Sequence, residues 1–86
     1  MSNPTKAAGI EVRTAGDDVL VHDPAHDKVH VLNGTAGYVL ELCDGAHSVG
    51  DIARSLSDAT GVEYALVLRD VEGIVRDFEG LQLLVS

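Results

Sequence analysis

The chain predicts a small two-layer α+β domain: a three-stranded antiparallel sheet followed by three helices, in the order βββααα. Three observations carry that prediction. Up to Leu32, short apolar runs alternate with turn residues, the two-residue period of strands. After Asn33 the apolar residues recur every three or four positions, the period of helices. The change of period happens once, so strands and helices segregate and the helices can cover one sheet face in two layers.

Residues 1–9 are small or polar and include Pro4, so a flexible tail is expected there, with the folded domain over 10–86. Ile10 and Val12 alternate with Glu11 and Arg13 in a first strand, and Gly16-Asp17-Asp18 supplies turn chemistry. Val19 to His22 is apolar and β-branched, a second strand. Asp23 to Lys28 is a loop, because Pro24 lacks a backbone donor and has a fixed φ. Val29 to Leu32 is the third strand, and the short connections make an antiparallel meander.

Asn33 or Thr35 can cap the first helix, whose inward face is Ala36, Val39, Leu40 and Cys43; Asp44-Gly45 is expected to stop it. Ser48 and Asp51 have the spacing of a capping box for the second helix, which turns Val49, Ile52, Ala53 and Leu56 inward and ends at Gly61. The third helix runs from about Glu63 to Glu79 with an inward stripe of Val67, Val71, Ile74, Val75 and Phe78. Gly80 is expected to end it, and the apolar tail Leu81 to Val85 to pack back on the core.

Eighty-six residues make one domain at most, and a domain of this size buries only ~60% of the surface its unfolded chain exposes. Tyr38, Tyr64 and Phe78 are the only aromatic residues, so the core must be aliphatic. Six basic residues against fourteen acidic ones give a net charge of −8. That balance argues against binding polyanionic nucleic acid or anionic membranes. A lone Cys43 excludes an internal disulfide and suits a reducing compartment. No signal segment and no apolar run of ~18 residues are present. A soluble cytoplasmic protein is expected.

The candidates for chemistry have simpler explanations. His22, His26 and His30 would share one face of a helix, but Pro24 and the strand pattern argue against a helix here. On a hairpin His22 and His30 could approach one another, still short of the four ligands of a structural zinc site. Cys43 on an inward helix face reads as a small hydrophobe, and Ser48 as a cap. No glycine-rich phosphate loop appears. Neither a catalytic residue, a metal nor a cofactor is expected.

Binding is better supported. An apolar strand over Val29, His30, Val31 and Leu32 with a free edge can accept a strand from another polypeptide. On the third helix Leu66 and Gly73 project away from the core stripe, flanked by Asp70 and Asp77, while Arg69 and Arg76 share a neighbouring stripe. Glycine inside a helix costs about 1 kcal/mol relative to Ala, and one reason to keep Gly73 is close approach of another backbone. The plainer alternative is a neutral glycine beside a solvated Glu72–Arg76 ion pair. The candidate peptide site is therefore Val29, His30, Val31 and Leu32 together with Leu66, Arg69, Asp70, Gly73, Arg76 and Asp77.

The run Val29-His30-Val31-Leu32-Asn33-Gly34-Thr35-Ala36-Gly37-Tyr38-Val39-Leu40-Glu41-Leu42-Cys43-Asp44-Gly45, continued by Ser48-Val49-Gly50-Asp51-Ile52-Ala53 and by Gly80-Leu81, resembles the PqqD-like family of peptide chaperones, the RiPP recognition elements. The resemblance covers about residues 10 to 84. It implies three strands followed by three helices in a winged-helix arrangement. It also implies non-catalytic binding of the leader region of a ribosomally made precursor peptide. The leader would add to the third strand and lie against the third helix, for delivery to a maturation enzyme such as a radical-SAM protein or a leader peptidase. A free strand edge can equally pair with a second copy, which leaves a homodimer open.

Two other classes share parts of this pattern. A winged-helix DNA-binding regulator needs a basic recognition helix, whereas the third helix sets Arg69 and Arg76 against Glu63, Asp70, Glu72, Asp77 and Glu79. An acyl or peptidyl carrier protein needs a modifiable serine just after Asp. Asp44-Gly45-Ala46-His47-Ser48 lacks that arrangement, and three N-terminal strands do not fit an all-helical carrier.

Overall fold

A computed structural model of the chain describes residues 3–85. The elements are β1 (Thr5–Lys6), β2 (Glu11–Ala15), β3 (Asp18–Asp23), β4 (Lys28–Leu32), α1 (Gly34–Glu41), α2 (Val49–Thr60), α3 (Tyr64–Gly80) and β5 (Leu84–Val85). β2, β3 and β4 form an antiparallel sheet in that order, and the three helices follow it in sequence, as the change of period predicts.

Local chemistry sets the ends of the elements. The Asn33 side chain accepts a hydrogen bond from the Ala36 amide at 2.8 Å, so Asn33 rather than Thr35 caps α1. At α2 the Asp51 amide donates to Ser48 Oγ at 3.0 Å and the Ser48 amide to Asp51 Oδ2 at 3.2 Å, the reciprocal capping box. Gly61 closes α2 at φ +74°, a left-handed conformation that carries little cost without a Cβ.

The structure corrects the sequence at the N-terminus. The flexible tail expected over residues 1–9 does not hold for Thr5–Lys6, which pair with β5 (Thr5 with Val85, Lys6 with Leu84). The Lys6 amide also donates to the Cys43 carbonyl at 2.8 Å, and the Gly45 amide to the Pro4 carbonyl at 3.0 Å. The N-terminal segment is thus held between the C-terminal strand and the α1–α2 connection. The tail Leu81 to Val85 does pack back: Leu83 is fully buried.

Two helix stops also differ. α1 ends at Glu41, so Cys43 lies beyond the helix, and Gly45 (φ +83°) turns the connection rather than capping the helix. Gly80 is still helical; the left-handed residue after α3 is Gln82, at φ +62°. After α1 a tertiary hydrogen bond, from the Lys6 amide to the Cys43 carbonyl, holds the chain. After α3 the close is local, the Gln82 amide donating to the Glu79 carbonyl at 3.1 Å and the Leu83 amide to the Phe78 carbonyl at 3.0 Å, a Schellman pattern with Gln82 in the left-handed position.

One core joins all layers: Val21 from the sheet, Val39 and Leu40 from α1, Ile52, Ala53 and Leu56 from α2, Val67, Val71, Val75 and Phe78 from α3, with Cys43 and Leu83. The Cys43 thiol donates to the Val39 carbonyl at 3.2 Å, and burial pushes its pKa up to about 11. A thiol so protonated and enclosed is a packing group, not a nucleophile.

The β3–β4 loop is fixed by its own carboxylate. Asp23 is almost fully buried, and its Oδ2 accepts from His26 Nδ1 at 2.7 Å. Burial pushes the Asp23 carboxyl up. The bond from His26, its charge, and the backbone amides of His26 and Ala25 outweigh that and hold it below the usual carboxylate range. The Asp44 carboxyl is held low as well, by the Ala46 amide and then by His47. A carboxyl depressed in the folded state stabilises the fold above its unfolded pKa of about 4 and stops doing so as pH falls through the lower folded value. Denaturant titrations from pH 6 down to 2 are therefore expected to show stability falling from about pH 4 downward, with a shallower fall in Asp23→Asn.

Candidate functional site

The strand register decides what the sheet offers to a partner. Gly16-Asp17 is a two-residue connection, so the closing pair Ala15–Asp18 is hydrogen-bonded, and the alternation of an antiparallel ladder gives β2 the backbone groups of Asp18, Leu20 and His22. Val19, Val21 and Asp23 then bond to Leu32, His30 and Lys28 of β4. The backbone N–H and C=O of Val29 and Val31 are left pointing out of the sheet, along an edge that no other described strand occupies.

The side chains alternate in the opposite sense. Val21, His30, Val19 and Leu32 face the helices, while His22, Val29, Leu20 and Val31 face outward. Val29 and Val31 are accordingly 63% and 64% exposed. They take part at this edge through backbone, not through side chains turned towards α3. The same alternation puts His22 and His30 on opposite faces, so the approach entertained for a hairpin does not occur; His22 instead lies across from Glu11 at 3.6 Å. Among the described residues no cluster of three metal-ligating side chains forms.

The sheet has a second free edge, β2, but the two edges differ. α1 packs against β4, β3 and α3, whereas the main packing partner of β2 is β3. β4 and α3 make at most marginal contact with one another, so α1 is the floor between a strand wall and a helix wall. Where the floor begins, Thr35, Leu56, Thr60, Val62, Val67 and Asp70 line a shallow cavity of about 160 Å³.

On α3, steps of about 100° per residue put Leu66, Asp70, Gly73 and Asp77 on one stripe beside Val67, the border of that cavity. Leu66 is 54% exposed, an apolar side chain that its own chain covers only in part. Arg69 and Arg76 lie on the next stripe round, exposed and farther from the cavity. The structure thus brings Asp70 beside Thr35 of α1 in the cavity lining; by helical spacing Leu66, Gly73 and Asp77 share its stripe, and Arg69 and Arg76 fall on the next one round. The Glu72–Arg76 pair does not form: the close charge pairs among the described residues all involve histidine.

Gly73 is a notch that the chain itself leaves open. A Cβ there would meet no atom within 4 Å. Gly73→Ala is therefore expected to raise stability by up to about 1 kcal/mol through helix propensity. If another backbone uses the notch, the same change weakens peptide binding. Urea titration and a binding isotherm on one sample separate the two effects.

The cavity residues Thr35, Thr60 and Val62 are not singled out as site residues by sequence reasoning, Thr35 figuring there only as a candidate cap. The available signal is Val62, an apolar residue stranded between a helix stop and a helix start and 46% exposed. Thr35 and Thr60 carry no local signal, because only tertiary packing makes them neighbours.

A sheet of three antiparallel strands with a helical unit over one face and one edge left beside it is a winged-helix domain of the α+β class. The family model for coenzyme PQQ synthesis protein D (PqqD) matches residues 18–84, and the chain belongs to that family. No curated protein matches. Three solved structures share the fold. TbiB1 in complex with the TbiA(beta) leader peptide superposes with a TM-score of 0.84 at 15% identity, covering 95% of each chain. A lasso peptide synthetase B1 complexed with its leader peptide gives 0.84 at 20% identity, covering 98% of this chain and 99% of that one. The PqqD truncation of Methylobacterium extorquens PqqCD, a RiPP recognition element, gives 0.82 at 21% identity, covering 96% of this chain and 88% of that one.

Proposed function

We propose that this domain is a non-catalytic, cytoplasmic RiPP recognition element. It binds the leader region of a ribosomally synthesised precursor peptide as an added strand on β4 and hands the peptide to a maturation enzyme, such as a radical-SAM protein or a leader peptidase. The observation that carries this reading is the free β4 edge beside α1 and α3, with the backbone groups of Val29 and Val31 turned outward. Membership of the PqqD family and the leader peptides bound by two of the similar structures support it. Backbone hydrogen bonds along the edge give affinity, and the inward side chains and the α3 stripe give selectivity. The folded domain is taken as residues 10–86, with Thr5–Lys6 as a tie across it.

The acidic balance of α3 supports peptide over DNA. Its exposed Arg69 and Arg76 are outnumbered by Asp70, Glu72, Asp77 and Glu79, the wrong sign for a helix laid along phosphates.

The test is a titration with the two halves of a precursor peptide encoded beside this gene, each labelled and followed by fluorescence anisotropy. The leader half is expected to bind and the core half not to. Equal binding of both halves, or of neither, contradicts the assignment.

A further inference from the structure

His30 is the one described residue with a buried side-chain nitrogen, Nε2, that has no hydrogen-bond partner. Buried polar groups are nearly always paired, so such an orphan needs a reason. An aliphatic residue in place of His30 would remove the problem and match Val12, Val19, Val21 and Leu32 on the same inner face.

Its position supplies the reason. His30 sits on the inner face of the edge strand, opposite the fully buried Val21. Its own backbone groups are spent on β3, so in an added antiparallel strand the residue across from it falls at a closely spaced, non-hydrogen-bonded pair, with Cα atoms about 4.5 Å apart. The side chain of that residue lies on the same face as the imidazole, whichever way the peptide runs. It is the first new group to come within reach of Nε2.

We propose that His30 is a specificity-determining residue. It selects, at the peptide position directly across from it, a side chain with a neutral hydrogen-bonding group, a hydroxyl or an amide. This rests on the strand-addition reading above. A hydroxyl can donate to or accept from Nε2 and so serves either imidazole tautomer, and an amide carries both a donor and an acceptor. A carboxylate is disfavoured by the net charge of −8. An aliphatic side chain would seal Nε2 in without a partner.

The test uses a displayed library of random linear peptides, panned on the wild-type domain and counter-selected on Val31→Pro, which keeps only edge-dependent binders. In parallel it is panned on His30→Leu, with His30→Phe as a second variant should the first fold poorly. Wild type is expected to enrich Ser, Thr, Asn or Gln at one position, and both variants to enrich aliphatic residues there. Changing that position to Val should weaken binding to wild type about tenfold, the scale of one buried polar group left unpaired, and to His30→Leu by less than about twofold. Edge-dependent peptides with the same preference on wild type and variants would overturn the role of His30 while leaving strand addition standing. Failure to recover any peptide sensitive to Val31→Pro would overturn both.

Discussion

Val31→Pro is expected to weaken leader-peptide binding by at least about tenfold while the domain stays folded. Proline removes the Val31 amide, and its ring occupies the edge where the peptide backbone must lie. That amide points out of the sheet, so no bond within the chain is lost, and the extended backbone before it suits the residue preceding a proline. The loss of one backbone hydrogen bond, compounded by the steric block, sets the scale. His30→Pro is the contrasting variant. Its amide bonds to Val21, so the same substitution one position earlier should break the β3–β4 ladder and unfold the edge. Circular dichroism with a binding isotherm distinguishes the two; if Val31→Pro unfolds and His30→Pro does not, the register is shifted by one.

Gly37→Ala is expected to destabilise the domain by about 1–3 kcal/mol, the cost of overpacking a tight interface. The sign is unusual, since Ala is the better helix former by about 1 kcal/mol and Gly37 lies within α1. A Cβ there would overlap the Val19 side chain, coming within 2.9 Å of its Cβ and closer still to a methyl group. Gly37 is what lets α1 lie flat on β3, and α1 is the floor between β4 and α3. Adding Val19→Ala should recover much of the loss. Urea unfolding with an unchanged m-value and a lowered midpoint is the readout; a stabilised Gly37→Ala would mean that the interface can open freely. The pair of glycines Gly37 and Gly73 makes the point in opposite directions, because one is filled by its own chain and the other is left open.

What the sequence reveals here follows the range of the interaction concerned. Asn33, the Ser48–Asp51 box and the Gly61 stop are satisfied within a few residues, so their chemistry is legible in the chain. The stripe Val67, Val71, Val75 and Phe78 is legible because burial of one helix face imposes its period. The β1–β5 pair is not, since Thr5 meets Val85 across nearly the whole chain and two-residue strands carry no period. Gly45 misleads for a related reason: the distant Lys6–Cys43 bond holds the chain where it leaves α1, and Gly45 only turns the connection. Gly80 misleads locally, because the bonds that close α3 put Gln82 rather than a glycine in the left-handed position.

The candidate site divides the same way. That Val29 to Leu32 forms an apolar strand is a local fact. Which of its residues turn their backbone outward depends on register, and a shift of one residue would exchange every face. The two hairpin connections fix that register, giving Val29 and Val31 to the edge and His30 and Leu32 to the interior. The helix stripe of Leu66, Asp70, Gly73 and Asp77 is legible from its spacing; the neighbouring Arg69 and Arg76 fall on the far side of it, a distinction that requires knowing where α1 lies.

Amide hydrogen exchange at single-residue resolution, with and without saturating leader peptide, tests strand addition most directly. In the free domain the Val29 and Val31 amides should exchange quickly and those of His30 and Leu32 slowly. On binding, Val29 and Val31 should become protected together. Protection of Val12 and Thr14 on the β2 edge instead, or no change at Val29 and Val31 with the peptide bound, would contradict addition to β4.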